Sequence, residues 1–262
     1  MWSEMSTTEL PGETKVAGEI FHRSDEERTQ LDELRELSTS VLGKLGDGWN
    51  AHLMVSLTRQ SVSRILYFDH LYRQLIGTPG VICEFGVQWG AGMSLLMNLR
   101  GIYEPYNHSR RIVGFDTFTG FPDVDPLDGP SAAPGDYAVA EGYEELLAKI
   151  LAIQEGMSPI PHMRKFELVK GDVNQTIESW LERNPQAIIG MAIFDMDLYG
   201  PTKHALEKIL PRLTKGSILV FDEVNCPPFP GETTALREVI GLGNLRLRHF
   251  PHQPNCAYAI VE

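Results

Sequence analysis

The sequence predicts an α/β fold: a seven-stranded, mostly parallel sheet with helices on both faces, preceded by a helical extension. Three observations carry this. Five apolar runs (81–84, 111–115, 166–169, 187–194 and 217–221) alternate with stretches of helical period, the pattern of parallel strands joined by crossover helices. The fourth run, Ala187 to Phe194, is strongly apolar, as a central strand buried on both faces requires. Two last runs, 245–250 and 257–261, read as an antiparallel pair that closes the sheet.

Each element has its own signal. Residues 1 to about 23 are polar and mixed and read as an arm. Ser24 to Leu45 reads as a helix: Ser24 and Glu27 have capping-box spacing, and Leu31, Leu34, Val41, Leu42 and Leu45 recur at helical intervals. Gly46 to Asn50 breaks the pattern. A second helix, about Thr58 to Leu75, carries Val62, Ile65, Leu66 and Leu71 and ends at Gly77-Thr78-Pro79-Gly80. These helices suggest a lid or oligomer contact over residues 1–77, followed by a nucleotide-type domain over 78–262. Within that domain, Glu141 to Ile153, a stretch from near Thr176, a stretch opened by Gly200-Pro201-Thr202, and Glu232 to Ile240 read as helices. Pro211 kinks the third of these or marks its last turns. Thr117 to Ala138, rich in Gly, Pro and Asp, is too long for a plain connection, and such loops are often functional.

Composition narrows the function. The chain has 262 residues, 42% hydrophobic and 22% charged, with a formal net charge of −12. That balance disfavours broad contact with nucleic-acid backbones, and no dense Lys/Arg run offsets it. No stretch of about 20 apolar residues is present to span a bilayer. Three dispersed cysteines (Cys83, Cys226, Cys256) suggest neither a disulfide framework nor a zinc site, so a cytoplasmic protein is expected.

The chemistry centres on V-I-C-E-F-G-V-Q-W-G-A-G-M-S-L-L, residues 81–96. A strand, a glycine-rich turn and a helix make a nucleotide-type site, because glycine allows close backbone approach and the helix N-terminus offers free N–H groups. The dinucleotide fingerprint is absent in its usual form. The pattern present, Glu84 through Gly86 to Gly90, resembles the first motif of the class I S-adenosylmethionine (SAM) methyltransferases, which have a Rossmann-like fold; a tight turn in another α/β protein reads the same way. Asp116 ends the second strand, where a carboxylate suits ribose hydroxyls; a capping or solvated Asp is the alternative. Asp172 can accept from an adenine amino group or cap the helix that follows. Asp195, with Asp197, and Asp222-Glu223 end two later strands. Parallel strands place these ends on one edge, so the acids can converge there. Oxygen ligands with no nearby Cys or clustered His favour a hard cation such as Mg²⁺.

With these residues placed, the chain resembles the TylF/MycF-type macrocin O-methyltransferases, SAM- and metal-dependent enzymes that methylate deoxysugars. The matching segments are L-M-V-S (53–56), E-F-G-V-Q-W-G-A-G (84–92), G-F-D-T-F-T-G-F-P (114–122), F-D-M-D-L-Y-G-P-T (194–202) and F-D-E-V (221–224). The resemblance implies SAM held by Glu84, Phe85, Gly86, Gly90, Gly92, Ser94, Asp116, Thr117, Phe118, Gly171 and Asp172. It implies Mg²⁺ held by Asp195, Asp222 and Glu223, with Asp195 as general base and a sugar or glycoside as acceptor. His52 stands where the family commonly has a lid tyrosine, and is a lid contact, a second catalytic candidate or a surface histidine. Glu223 replaces a commoner Asp. A homo-oligomer is expected from the helical extension. The competing readings are a nucleotide-dependent oxidoreductase and a non-catalytic SAM-binding protein.

Overall fold

The computed structural model describes residues 13–16, 19–22 and 24–262; of the arm expected over residues 1 to about 23, residues 1–12, 17, 18 and 23 lie outside them. The chain divides into two compact units, residues 1–65 and 66–262. In the first, β1 (Glu13–Val16) and β2 (Glu19–His22) pair antiparallel, a hairpin that the polar composition did not signal. The next helix, α1 (Asp25–Leu42), opens with the expected capping box: Ser24 Oγ accepts from Glu27 N–H at 3.2 Å, and Ser24 N–H donates to Glu27 Oε2 at 2.9 Å. A single turn, α2 (Trp49–His52), follows the glycine break. α3 (Arg59–Leu75) starts in this unit and continues into the next. No residue of α1 is buried, and Leu37, Val41, Trp49, Met54 and Val55 are exposed.

The second unit is built on a seven-stranded sheet. Its strands are β3 (Val81–Phe85), β4 (Ile112–Asp116), β5 (Phe166–Lys170), β6 (Ile189–Phe194), β7 (Leu213–Phe221), β8 (Arg248–Phe250) and β9 (Gln253–Ile260). They lie in the order β5-β4-β3-β6-β7-β9-β8, the first five parallel and β9 antiparallel to both neighbours. The chain moves outward from β3 through β4 to β5, then returns to β6 on the other side of β3. That reversal opens a crevice at the carboxyl ends of β3 and β6, the switch point where ligands bind in such sheets. β7 begins earlier than its apolar run, at Leu213, and Pro211 lies in a 3₁₀ turn beyond the last α-helical residue, Ile209.

Alternation along each strand sorts the core into two layers. Ile82, Ile112, Met191, Ile193, Ile218 and Val220 pack with Tyr67, Phe68 and Leu71 of α3, with α4 (Ala91–Tyr103) and with α5 (Tyr143–Gly156). Cys83, Val113, Ala192 and Leu219 face α6 (Val173–Arg183), α7 (Tyr199–Ile209) and α8 (Gly231–Val239). Among the described residues no helix is long and apolar enough to cross a membrane.

Candidate active site

Hydrogen bonds continue past the strands and align their ends. Gly171 N–H donates to Asp116 O at 2.8 Å, Gly86 to Phe115 O at 2.9 Å, Asp195 to Phe85 O at 2.8 Å and Asp222 to Phe194 O at 3.1 Å. Beneath this edge runs a ladder of stacked rings. Phe115 and Phe85 lie 4.9 Å apart, Phe85 and Phe194 5.1 Å, and Phe194 and Phe221 5.2 Å. Each ring is the last apolar residue of its strand, and three of the four (Phe115, Phe194, Phe221) are followed at once by an acid. Phe85 is thus wholly buried in the sheet layer. The repeated Phe-Asp at three strand ends is the sequence signal for this ladder.

The glycine turn is shaped by close approach. At Gly86 (φ +94°) an added Cβ would stand 1.8 Å from the Asp195 carbonyl oxygen, and at Gly92 it would stand 1.8 Å from Glu84 Oε1. Only glycine lets the chain leaving β3 lie against the backbone of Asp195 after β6 and lets the buried Glu84 carboxylate lie against the first turn of α4. Asp116 fastens the turn: its Oδ2 accepts from Val87 N–H at 2.6 Å and Gln88 N–H at 2.8 Å, and its Oδ1 from Phe118 N–H at 2.5 Å. A carboxylate offers about four lone-pair sites, so acceptor capacity remains for a ligand. Phe118 is buried at φ +59°. Thr117 Oγ1 donates to Gly120 O at 2.7 Å. Ser94 Oγ and the Gln154 amide bond each other, 2.8 Å from the amide nitrogen. Asp172 caps α6, accepting from Asn174 N–H at 2.9 Å, one of the two roles its position allowed.

Beside this crevice the second unit gathers Asp195, Asp197, Asp222, Glu223 and Glu232. Asp197 and Glu232 are buried, and burial holds both carboxyls well above the usual carboxylate range, with Asp195 and Asp222 pushing the same way. Asp197 sits at φ +60° in the turn after β6. Glu232, in the first turn of α8, accepts from Glu223 N–H at 3.0 Å. Tyr137, from the long loop, hydrogen-bonds Asp197, and its ring lies 5.1 Å from Phe121 and 6.3 Å from Phe229. Burial first, then the acids, drives its phenol upward. The same loop is anchored by buried Asp128, which accepts from Tyr199 N–H and, at 2.7 Å, from Asp125 N–H.

Two sequence expectations need adjustment. The sequence suggests no cysteine beside the acids, yet Cys256 Sγ donates to Asp222 Oδ1 at 3.0 Å and Cys226 hydrogen-bonds Glu223. Antiparallel pairing of β9 with β7 brings Cys256 there, which spacing along the chain does not reveal, whereas Cys226 lies three residues beyond Glu223 in the same loop. Among the described residues, moreover, no three carboxylate, imidazole or thiol groups are arranged to hold one metal ion. The donor chemistry at Asp195, Asp222 and Glu223 still suits a hard cation, and crowded buried carboxylates are eased by one. His52 belongs to the first unit, exposed at the end of α2. Sequence reasoning missed Glu232, Tyr137 and Asp128. Only Asp128 carries a local signal, the capping-box spacing Asp125-Pro126-Leu127-Asp128.

An acid-lined crevice with a glycine turn, at the switch point of a mostly parallel sheet, defines a nucleotide-cofactor α/β enzyme, and the comparisons give its class. A family model described as a methyltransferase domain matches residues 83–224, and the chain belongs to that family: it is a methyltransferase. The crystal structure of CalS11, a calicheamicin methyltransferase, is 43% identical to it, with a TM-score of 0.86 over 96% of this chain and 99% of that one. An apo structure of CalS11, there called a TDP-rhamnose 3'-O-methyltransferase of calicheamicin biosynthesis, is 41% identical, with a TM-score of 0.81 over 92% of this chain and 96% of that one. The O-methyltransferase NovP, 19% identical with a TM-score of 0.57 over 76% of this chain and 80% of that one, shares the fold. No curated protein matches the chain.

Proposed function

We propose that this chain is a cytoplasmic, SAM- and Mg²⁺-dependent O-methyltransferase that methylates a hydroxyl of a rhamnose-like deoxysugar on a glycosylated natural product or its nucleotide-sugar precursor. The observation that carries the reading is the near-full-length likeness to CalS11, together with acids at the ends of β6 and β7 beside the glycine turn. Glu84, the backbone of Phe85, Gly86, Gly90, Gly92 and Ser94 form the methionine and ribose side of the SAM site. Asp116, Thr117 and Phe118 hold the ribose, and Gly171 and Asp172 flank adenine. Asp195, Asp222 and Glu223 hold Mg²⁺.

When bound, SAM supplies a methyl group on a sulfonium, and Mg²⁺ lowers the pKa of a chelated hydroxyl. The chain's residues do the rest. The glycine turn would bring backbone N–H groups to the cofactor, and Asp195 would accept the proton of the acceptor hydroxyl. His52 is the second catalytic candidate. The exposed Leu37, Val41, Met54 and Val55 support a homo-oligomer built through that extension.

The test is calorimetric titration of S-adenosylhomocysteine with NAD⁺ as control, followed by TDP-rhamnose and SAM with and without Mg²⁺. Binding of S-adenosylhomocysteine alone, and an O-methylated sugar that disappears with EDTA, are expected. NAD⁺ binding without S-adenosylhomocysteine binding overturns the reading. Asp195→Asn should lower turnover by at least roughly 100-fold, the contribution of a general base, while S-adenosylhomocysteine binds as before.

A further inference from the structure

We infer that Cys256 is a positioning residue for Asp222: its thiol fixes the carboxylate that the proposed metal site uses at the end of β7. The inference rests on that reading of Asp222 as a metal ligand.

Register places the pair. Phe221 of β7 stands opposite Ala257 of β9, so Asp222, one residue on, meets Cys256, and Val224 N–H donates to Asn255 O at 3.0 Å just beyond. Cys256 is only 4% exposed, so its sulfur has little water to turn to. Its Sγ lies 3.0 Å from Asp222 Oδ1 and 3.6 Å from Gln253 Oε1. The first contact is short for sulfur, as expected when the acceptor is a carboxylate. One oxygen of Asp222 is thereby tied back to the sheet, which sets the direction of the other. Glu223 has its own thiol partner in Cys226, and the Asn255 amide reaches Cys226 Sγ at 3.9 Å. Each of the two carboxylates after β7 therefore carries one buried thiol. Hydrogen bonds of this kind orient ligating carboxylates, and losing one typically costs 10- to 100-fold in metal affinity or activity. A thiol is a weak donor, so the lower end applies here.

The experiment uses Mn²⁺ as the probe, read by its free-ion electron paramagnetic resonance signal, with the full chain as wild type, Cys256→Ser, Cys256→Ala and Asp222→Asn. Calorimetric binding of S-adenosylhomocysteine reports whether each variant is folded. Cys256→Ala should bind Mn²⁺ about tenfold more weakly, and Cys256→Ser, which keeps a donor, within about threefold of wild type. All four proteins should bind S-adenosylhomocysteine alike. If Asp222→Asn loses Mn²⁺ while both cysteine variants bind it as wild type does, the positioning role is overturned and the metal site stands. If Cys256→Ser is as weak as Cys256→Ala, packing rather than donation is at work, and the inference again fails. If wild type binds no Mn²⁺, or Asp222→Asn binds it as wild type does, the metal reading itself falls and takes this role with it.

Discussion

Single residues at this edge do unequal work. Asp116 accepts three backbone N–H groups that shape the glycine turn and the start of the long loop, whereas Asp172 accepts one from its own helix. Charge-assisted bonds of this type are the stronger ones, so Asp116→Ala should weaken S-adenosylhomocysteine binding by at least about tenfold and Asp172→Ala by less than about threefold, measured by titration calorimetry. Asp128 offers a separate test. Burial raises its carboxyl, and the backbone N–H groups of Tyr199 and Asp125 only partly offset this. A folded-state pKa above the unfolded one means the native protein binds more protons, so this group's contribution to stability is full at low pH. It is lost as pH rises from the ordinary carboxylate range through the raised value. Asp128→Asn removes that slope, and the Tm of the variant minus that of wild type should therefore increase with pH over the same window. A difference that is flat with pH refutes the assignment.

At the scale of elements, the sheet carries its ligand edge on the phenylalanine ladder. Phe194 stacks on Phe85 to one side and Phe221 to the other, fully buried. Phe194→Ala removes two ring contacts and leaves a cavity under Asp195, which should cost about 3–5 kcal/mol in chemical denaturation. Stability and ligand geometry are coupled here, because the ring and the acid are neighbours in sequence on opposite sides of the strand. The long loop is a second such element. Asp128 holds it to the first residue of α7, and Tyr137 reaches Asp197, so the segment that leaves Asp116 is tied again beside the carboxylates. Its length in the sequence already marked it as more than a connection. Asp128 is marked locally by its capping-box spacing, but the reach of Tyr137 to the turn after β6 is encoded in no local pattern.

At the scale of the whole molecule, the second unit closes its own core while the described part of the first does not. An 18-residue helix with no buried side chain, followed by exposed Trp49, Met54 and Val55, leaves apolar surface that association would cover. A double substitution, Met54→Asp with Val55→Asp, should shift the light-scattering mass toward the monomer while leaving S-adenosylhomocysteine binding intact. An unchanged mass would remove this face from any interface.

The sequence by itself determined the alternation of strands and helices, the capping box at Ser24, the glycine turn, the acids at the strand ends and the methyltransferase class. The first four are written in spacings of two to four residues, which local backbone physics reads directly; the class followed from the resemblance those motifs carry. Tertiary structure alone decided that Cys256 meets Asp222 across 34 positions of chain, that Glu232 holds the backbone of Glu223, and that Tyr137 reaches Asp197. It also decided that Ser94 turns to Gln154 and that Phe85 lies inside the sheet. The physical reason is register. Pairing β9 antiparallel to β7 fixes partners by geometry between distant strands, and a slip of one residue would turn Cys256 to the other face.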